Sequence, residues 1–311
     1  MSELTEASQS ARGRPLPSLL RNPVTVKELR SRMRGRRAFI VLTVYLLLMS
    51  GFITLLYLLY ASAASQPYGL DPRQAGKTVF GAVTGIQVLL VVFIGPSFTS
   101  GTISGEKERQ TYELLRTTLL SANSLVMGKL VSALSYVFLL ILAAVPLQSI
   151  AFLLGGVSLV ELVLTQLLIL VSAVAFALVG LFFSTLMRST LASSVVTFAT
   201  SLALTLGLPA AAMVLIPLVG TMLAGPATTP LTEVILVYVG LALSTTNLPA
   251  TIIISEILLI QEDALFLATQ TISGYTVYLF SPWTVYLILY ILLSLLLYVG
   301  AVRRVRRIPT K

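Results

Sequence analysis

Between Ala38 and Tyr60 the chain carries no charged side chain, and the same holds from Val79 to Phe98, Leu162 to Met187, Leu191 to the approach of Gly225, and Pro282 to Val302. A further run, Gly128 to Leu154, carries only Lys129, at its start. A helix needs about 20 apolar residues to cross the hydrocarbon of a bilayer while pairing its own backbone. Repeated runs of this length leave few options besides helices packed in lipid. A β-barrel would show shorter segments of alternating polarity. Composition agrees: 56% of the 311 residues are hydrophobic and 11% are charged, against roughly 25% charged in soluble domains.

The chain has no histidine and no cysteine. That removes the commonest general base, the commonest metal ligand and any thiolate nucleophile. A membrane-embedded enzyme would need a Ser-Lys pair or paired acids at a metal. The nearest acidic pair, Glu262-Asp263, has no second acidic motif to complete a site. No catalytic residue, metal site or cofactor is expected in this chain.

The net charge of +9 is distributed around the apolar runs. Nine Lys/Arg precede the first run and five follow the last. Such clusters mark the cytoplasmic side and attract anionic head groups, so they argue for membrane lipids and against nucleic acid as partners. With both termini inside, 19 of 21 Lys/Arg lie at the cytoplasmic face, leaving Arg73 and Lys77 outside. The expected fold is an all-α integral membrane protein with six transmembrane helices and both termini cytoplasmic.

Residues 1–20 read as a disordered N-terminal tail. Residues 21–37 are strongly basic, with Val24, Val26, Leu29 and Met33 partly at helical spacing, which predicts a cytoplasmic interfacial helix. The transmembrane domain spans 38–302, and 303–311 form a basic cytoplasmic tail. Pro146 is expected to kink the third span, and Gly155-Gly156 to make a tight outer turn. Glu161 and Arg188 fall at opposite ends of the fourth span. Residues 221–281 are apolar but broken by Pro226, Pro230, Pro249 and Gly274, and contain no Lys or Arg. They read as an outer loop holding one or two short re-entrant helices. An extra pair of crossings there, giving eight spans, also satisfies the charge distribution.

The loop at 99–127 carries the densest internal charge. Ser104 stands where a helix N-cap would, with Glu106 and Glu108 in the first turn where acids favour the dipole. Thr111, Leu114, Leu115 and Thr118 recur at helical spacing, predicting a helix of about 14 residues, or ~21 Å. It is too charged for lipid and suits either docking into a groove on a soluble partner or an ordinary surface loop. The run Ile103, Ser104, Glu106, Lys107, Glu108, Thr111, Glu113, Leu114, Leu115 resembles the cytoplasmic loop of ABC-2-type permeases. Thr118, Leu120, Ser121 and Gly128-Lys129-Leu130 match the same pattern, as do Asn22-Pro23-Val24 and Lys27-Glu28-Leu29. Leu119 stands where that family commonly has proline.

The resemblance implies the permease subunit of an ATP-binding-cassette exporter in a bacterial or archaeal plasma membrane. Its partners would be an ABC ATPase subunit, which holds ATP-Mg, and a second permease copy or a sister permease. Ser104, Glu106, Lys107, Glu108, Arg109, Thr111, Tyr112, Glu113, Leu114, Leu115 and Thr118 would form the coupling helix. Asn22, Pro23, Lys27, Glu28 and Arg32 would belong to the interfacial helix beside it. The substrate is not implied.

Gly76-Lys77-Thr78 mimics the end of a P-loop, but Asp71 occupies the position of its other glycine, no strand precedes it, and ATP binding there is not expected. The polar span residues Thr43, Ser50, Thr54, Gln87, Gln148 and Gln166 could line a path, though such residues more often bond neighbouring helices. Competing readings are an ion-gradient-driven secondary transporter, which predicts buried acids and internal repeats, and a membrane anchor subunit.

Overall fold

The computed structural model describes residues 36–64, 72–112, 121–224, 230–262, 265–272 and 275–307. The N-terminal tail and the interfacial residues Asn22, Pro23, Lys27, Glu28 and Arg32 lie outside the described residues, as do Glu113, Leu114, Leu115 and Thr118 of the loop.

The long helices fall where the uncharged runs placed them. They are α1 (Arg36–Ala64), α2 (Pro72–Thr99), α4 (Ala122–Leu153), α5 (Leu159–Leu186), a fifth built of α6 (Thr190–Leu202), a π-helical turn (Ala203–Gly207) and α7 (Leu208–Ala224), and α10 (Pro282–Arg307). Between α2 and α4 lies the short α3 (Ser104–Glu108). Among the described residues six helices are long and apolar enough to cross a bilayer, the mark of a multi-pass membrane protein. α4 continues through Pro146.

The ends of these helices follow capping rules. The Ser158 hydroxyl accepts the Glu161 N–H at 3.2 Å, and the Glu161 carboxylate accepts the Ser158 N–H at 3.3 Å, a complete capping box that starts α5. α4 ends in a Schellman motif. Gly155 adopts φ +72°, its N–H donates to Phe152 O at 2.9 Å, and the Gly156 N–H reaches Ala151 O at 3.4 Å. The expected tight turn at Gly155-Gly156 is this motif.

Helices α2, α4 and α5 form the centre. Val91, Val137, Leu140, Leu168, Ile169 and Phe176 are buried together, with Tyr286 of α10. Close approach is set by glycine: a Cβ on Gly180 would lie 2.2 Å from Thr99 Oγ1 and 3.1 Å from the Pro96 carbonyl, so α2 crosses α5 at that point. By contrast Phe39, Leu47 and Leu48 of α1, Met213 and Met222 of α7 and Leu296 of α10 are broadly exposed. Large apolar side chains in that position are stable facing lipid or another helix.

The π-helical turn has a chemical cause. Pro209 has no N–H to give to the carbonyl of Thr205. The Asn247 side-chain amide supplies the missing donor, reaching Thr205 O at 2.6 Å and Leu204 O at 3.0 Å. The other end of the same amide, Oδ1, accepts the Ala250 N–H at 3.1 Å and caps α9 (Leu248–Glu262), which follows α8 (Pro230–Ser244).

The expectation of short apolar helices in 221–281 is met by α8 and α9. The all-α expectation needs one correction: β1 (Leu267–Ile272) and β2 (Tyr275–Phe280) pair as an antiparallel hairpin, Leu267 opposite Phe280 and Ile272 opposite Tyr275. The reason is local. Thr269, Thr271, Ile272, Tyr275, Thr276, Val277 and Tyr278 are β-branched or aromatic, and Ser273-Gly274 separates the two strands. Ala268, Val277 and Leu279 turn one face onto Leu258, Val234 and Val237 of the short helices. Tyr278 and Phe280 project from the other face and are exposed.

Candidate functional site

The loop that follows α2 is bound into one end of the bundle by its own charged residues. Two corrections to the expected coupling helix come first. Ser104 is not an N-cap. It is the first residue of α3, fully buried, and its hydroxyl donates to Ser100 O at 3.1 Å. The capping role passes to Ser184, whose Oγ accepts the N–H groups of Ile103 at 2.8 Å and Ser104 at 2.9 Å. Nor does the helix continue for about 14 residues. α3 stops at Glu108, and Gln110 takes φ 59°. The Gln110 N–H donates to Lys107 O at 3.1 Å and the Thr111 N–H to Glu106 O at 3.0 Å, a Schellman motif with glutamine where glycine is usual.

Lys107 reaches across to the C-terminus of α5. Its ammonium donates to the carbonyls of Met187 at 3.2 Å, Ser184 at 3.5 Å and Thr185 at still shorter range. Those carbonyls belong to the last turn, which has no intrahelical donors and carries the negative end of the dipole. Glu108 makes the opposite contact. Its Oε2 accepts the Thr190 hydroxyl at 2.7 Å and the Thr190 N–H at 3.3 Å, at the N-terminus of α6. Glu106 pairs with Lys129 of α4 at 2.6 Å, and Lys129 also donates to Thr102 O at 3.0 Å. Lys129 is only 3% exposed, so this ion pair is shielded from solvent on the lysine side. Tyr112 is buried, its hydroxyl reaching Val305 O of α10 at 3.5 Å.

One loop is thereby tied to α4, α5, α6 and α10. Of the predicted docking residues, Ser104, Glu106, Lys107, Glu108 and Tyr112 are engaged internally. Arg109 and Thr111 are exposed beyond the clamp, with Gln110 between them. Arg188, Arg303, Arg304 and Arg306 are exposed as well, and Arg188 and Arg304 are close enough to act electrostatically on Lys107. That end of the bundle therefore presents a cationic rim around α3. Sequence reading missed Ser184, Thr190 and Val305, because nothing local marks a residue as a partner for a distant loop. Asn247 left no signal either, beyond its position two residues before Pro249.

The polar span residues divide in two. Gln87, Gln148 and Gln166 meet: the Gln148 amide donates to Gln87 Oε1 at 2.8 Å, the Gln166 amide donates to the same oxygen at 3.2 Å, and Gln87 donates to Ile141 O at 3.4 Å. Gln166 also donates to Gln148 Oε1. They join α2, α4 and α5 through buried hydrogen bonds. Thr54 on α1 bonds back to Ser50 O at 2.8 Å, and Thr43 is half-buried on the same helix. Among the described residues no group of His, Cys, Asp and Glu is placed to hold a metal.

No family model matches this chain, and no curated protein matches it.

Proposed function

We propose that the chain is the permease subunit of an ATP-driven exporter, with the loop around α3 as the point where a separate ATPase subunit, holding ATP-Mg, delivers its motion. The observation that carries this reading is the clamp. Lys107, Glu108 and the Glu106–Lys129 pair fasten α3 to α5, α6 and α4, so a displacement of α3 moves several long helices together. Arg109, Gln110 and Thr111 lie outside the clamp and exposed, and form the contact with the partner. In this reading both termini and the cationic rim face the cytoplasm of a bacterial or archaeal cell, consistent with the placement of Lys and Arg. Two permease copies, or one and a sister chain, enclose the transport path.

The test is purification of the tagged full-length chain with identification of co-purifying subunits and an ATPase assay. Recovery of an ATP-binding-cassette subunit, lost on Arg109→Glu with Thr111→Glu, is the expected result. Recovery of the folded chain without any ATPase, under conditions that preserve such complexes, would replace this reading with a gradient-driven transporter or an anchor subunit.

A further inference from the structure

The hairpin leads straight into a long apolar helix. Phe280 closes β2, Ser281 follows, and Pro282 opens α10. With 26 residues α10 is about 39 Å long, more than the ~30 Å of hydrocarbon that a span has to cross. Its first turn therefore stands at the level of the head groups, and the base of the hairpin stands with it. No charged residue lies between Asp263 and Arg303.

One face of the hairpin packs on α8 and α9 through Ala268, Val277 and Leu279. The opposite face is open, and its polarity changes step by step along the strands. The pair nearest α10 is Leu267 with Phe280, the next on that face is Thr269 with Tyr278, and the last is Thr271 with Thr276. All six are exposed, Phe280 by 62%. Phe266, 61% exposed, sits against Trp283 with ring centroids 5.3 Å apart. A surface buried in a protein partner has no reason to grade from phenylalanine to threonine along its length. A bilayer boundary does grade in that way, and aromatic rings gather there.

Backbone pairing follows the same gradient. Two strands alone leave a row of N–H and C=O groups on each edge, which hydrocarbon cannot satisfy. At the base, partners come from the protein itself: the Ser281 N–H donates to Phe266 O at 2.9 Å and the Trp283 indole to Leu265 O at 2.7 Å.

We propose that this face is a lipid-contact surface, set obliquely across the bilayer boundary at the start of α10. Phe266, Leu267 and Phe280 lie among acyl chains, Tyr278 at the head groups, and Thr271 and Thr276 in water. The hairpin thereby anchors the α8–α9 pair to the membrane surface. This assignment rests on the long helices crossing a bilayer and is independent of whether the loop around α3 meets an ATPase.

The chain has no cysteine, so Phe280→Cys, Tyr278→Cys and Thr276→Cys each give a single attachment point for a nitroxide spin label. The labelled full-length proteins are reconstituted in vesicles of phosphatidylcholine and phosphatidylglycerol. Collision with oxygen, which concentrates in lipid, is compared with collision with a water-soluble nickel chelate. Oxygen is expected to dominate at the Phe280 site, the chelate at the Thr276 site, with Tyr278 between them. The chelate dominating at all three sites overturns the proposal by placing the face in water. Oxygen dominating equally at all three overturns the oblique placement. Little collision with either at the Phe280 site also overturns it, and spin–spin broadening there would assign the face to a second copy of the chain. If Phe280→Cys does not fold, Leu267→Cys, directly opposite it, takes its place with the same readings.

Discussion

Lys107 and Ser184 hold each other's helices by their ends: the Ser184 hydroxyl accepts the first N–H groups of α3, and the Lys107 ammonium on α3 accompanies the closing carbonyls of α5, Ser184 among them. Each supplies what the other helix lacks at its terminus. The contact is reciprocal, so damage to either partner loosens both helices.

Lys107→Met keeps the aliphatic stem and removes the donors. It is expected to cost about 1–3 kcal/mol, the range for leaving buried acceptors without a charged partner. The check is thermal unfolding in detergent together with amide exchange at Ile103 and Ser104. Unchanged exchange at those amides would show that the two caps are independent.

Gln110 occupies a left-handed conformation that glycine adopts without strain. Gln110→Gly is expected to protect the Thr111 amide from exchange and to stabilise the loop by up to about 1 kcal/mol. Gln110→Val, β-branched at the same φ, is expected to do the reverse.

Gly180→Ala places a methyl 2.2 Å from Thr99 Oγ1 and 3.1 Å from Pro96 O. Overpacking of this kind costs about 1–3 kcal/mol. Thr99→Ala in the same chain removes the nearest clash and leaves the backbone contact, so rescue is expected to be partial. A double-mutant cycle on the unfolding midpoint measures it.

Glu256 carries the pH dependence of the short helices α8 and α9. Its carboxyl is raised above 4.5 by burial, then by Glu161 on α5, against the opposing charge of Lys77 on α2. A raised acid binds its proton more tightly in the folded state. Its contribution to stability is therefore greatest in acid and is lost as pH rises from the unfolded value through the folded one. Protection of α9 amides should fall over that window, and Glu256→Gln should remove the fall. A wild-type profile as flat as the variant's would contradict this.

The long helices were legible because lipid imposes a length and a polarity that no tertiary partner can excuse. The turn at Gly155-Gly156 was legible because glycine at the end of a helix has a narrow meaning. The error at Ser104 has a different source. A serine before acidic residues is a sound N-cap by local rules, but Ser184, eighty residues away, reaches the same amides first. Local pattern also carries the helix past Gln110, since glutamine favours helices and only the closing hydrogen bonds to Lys107 and Glu106 reveal the stop. The hairpin escapes a reading by hydropathy and breakers alone, since an apolar stretch broken by Pro226, Pro230, Pro249 and Gly274 suits short helices as well. Its Thr and Tyr content was the available clue.

The π-helical turn between Ser201 and Pro209 holds one residue more than a regular turn would. Deleting a single residue from Ala203–Gly207 would restore ordinary winding there and leave α7 facing as it does, because a π turn takes up its extra residue locally. What the deletion would remove is the widened turn at which the Leu204 and Thr205 carbonyls share the Asn247 amide. At this point in the chain the extra residue serves that contact and not the direction of the span, so its loss should loosen the start of α9 while α7 runs on unturned.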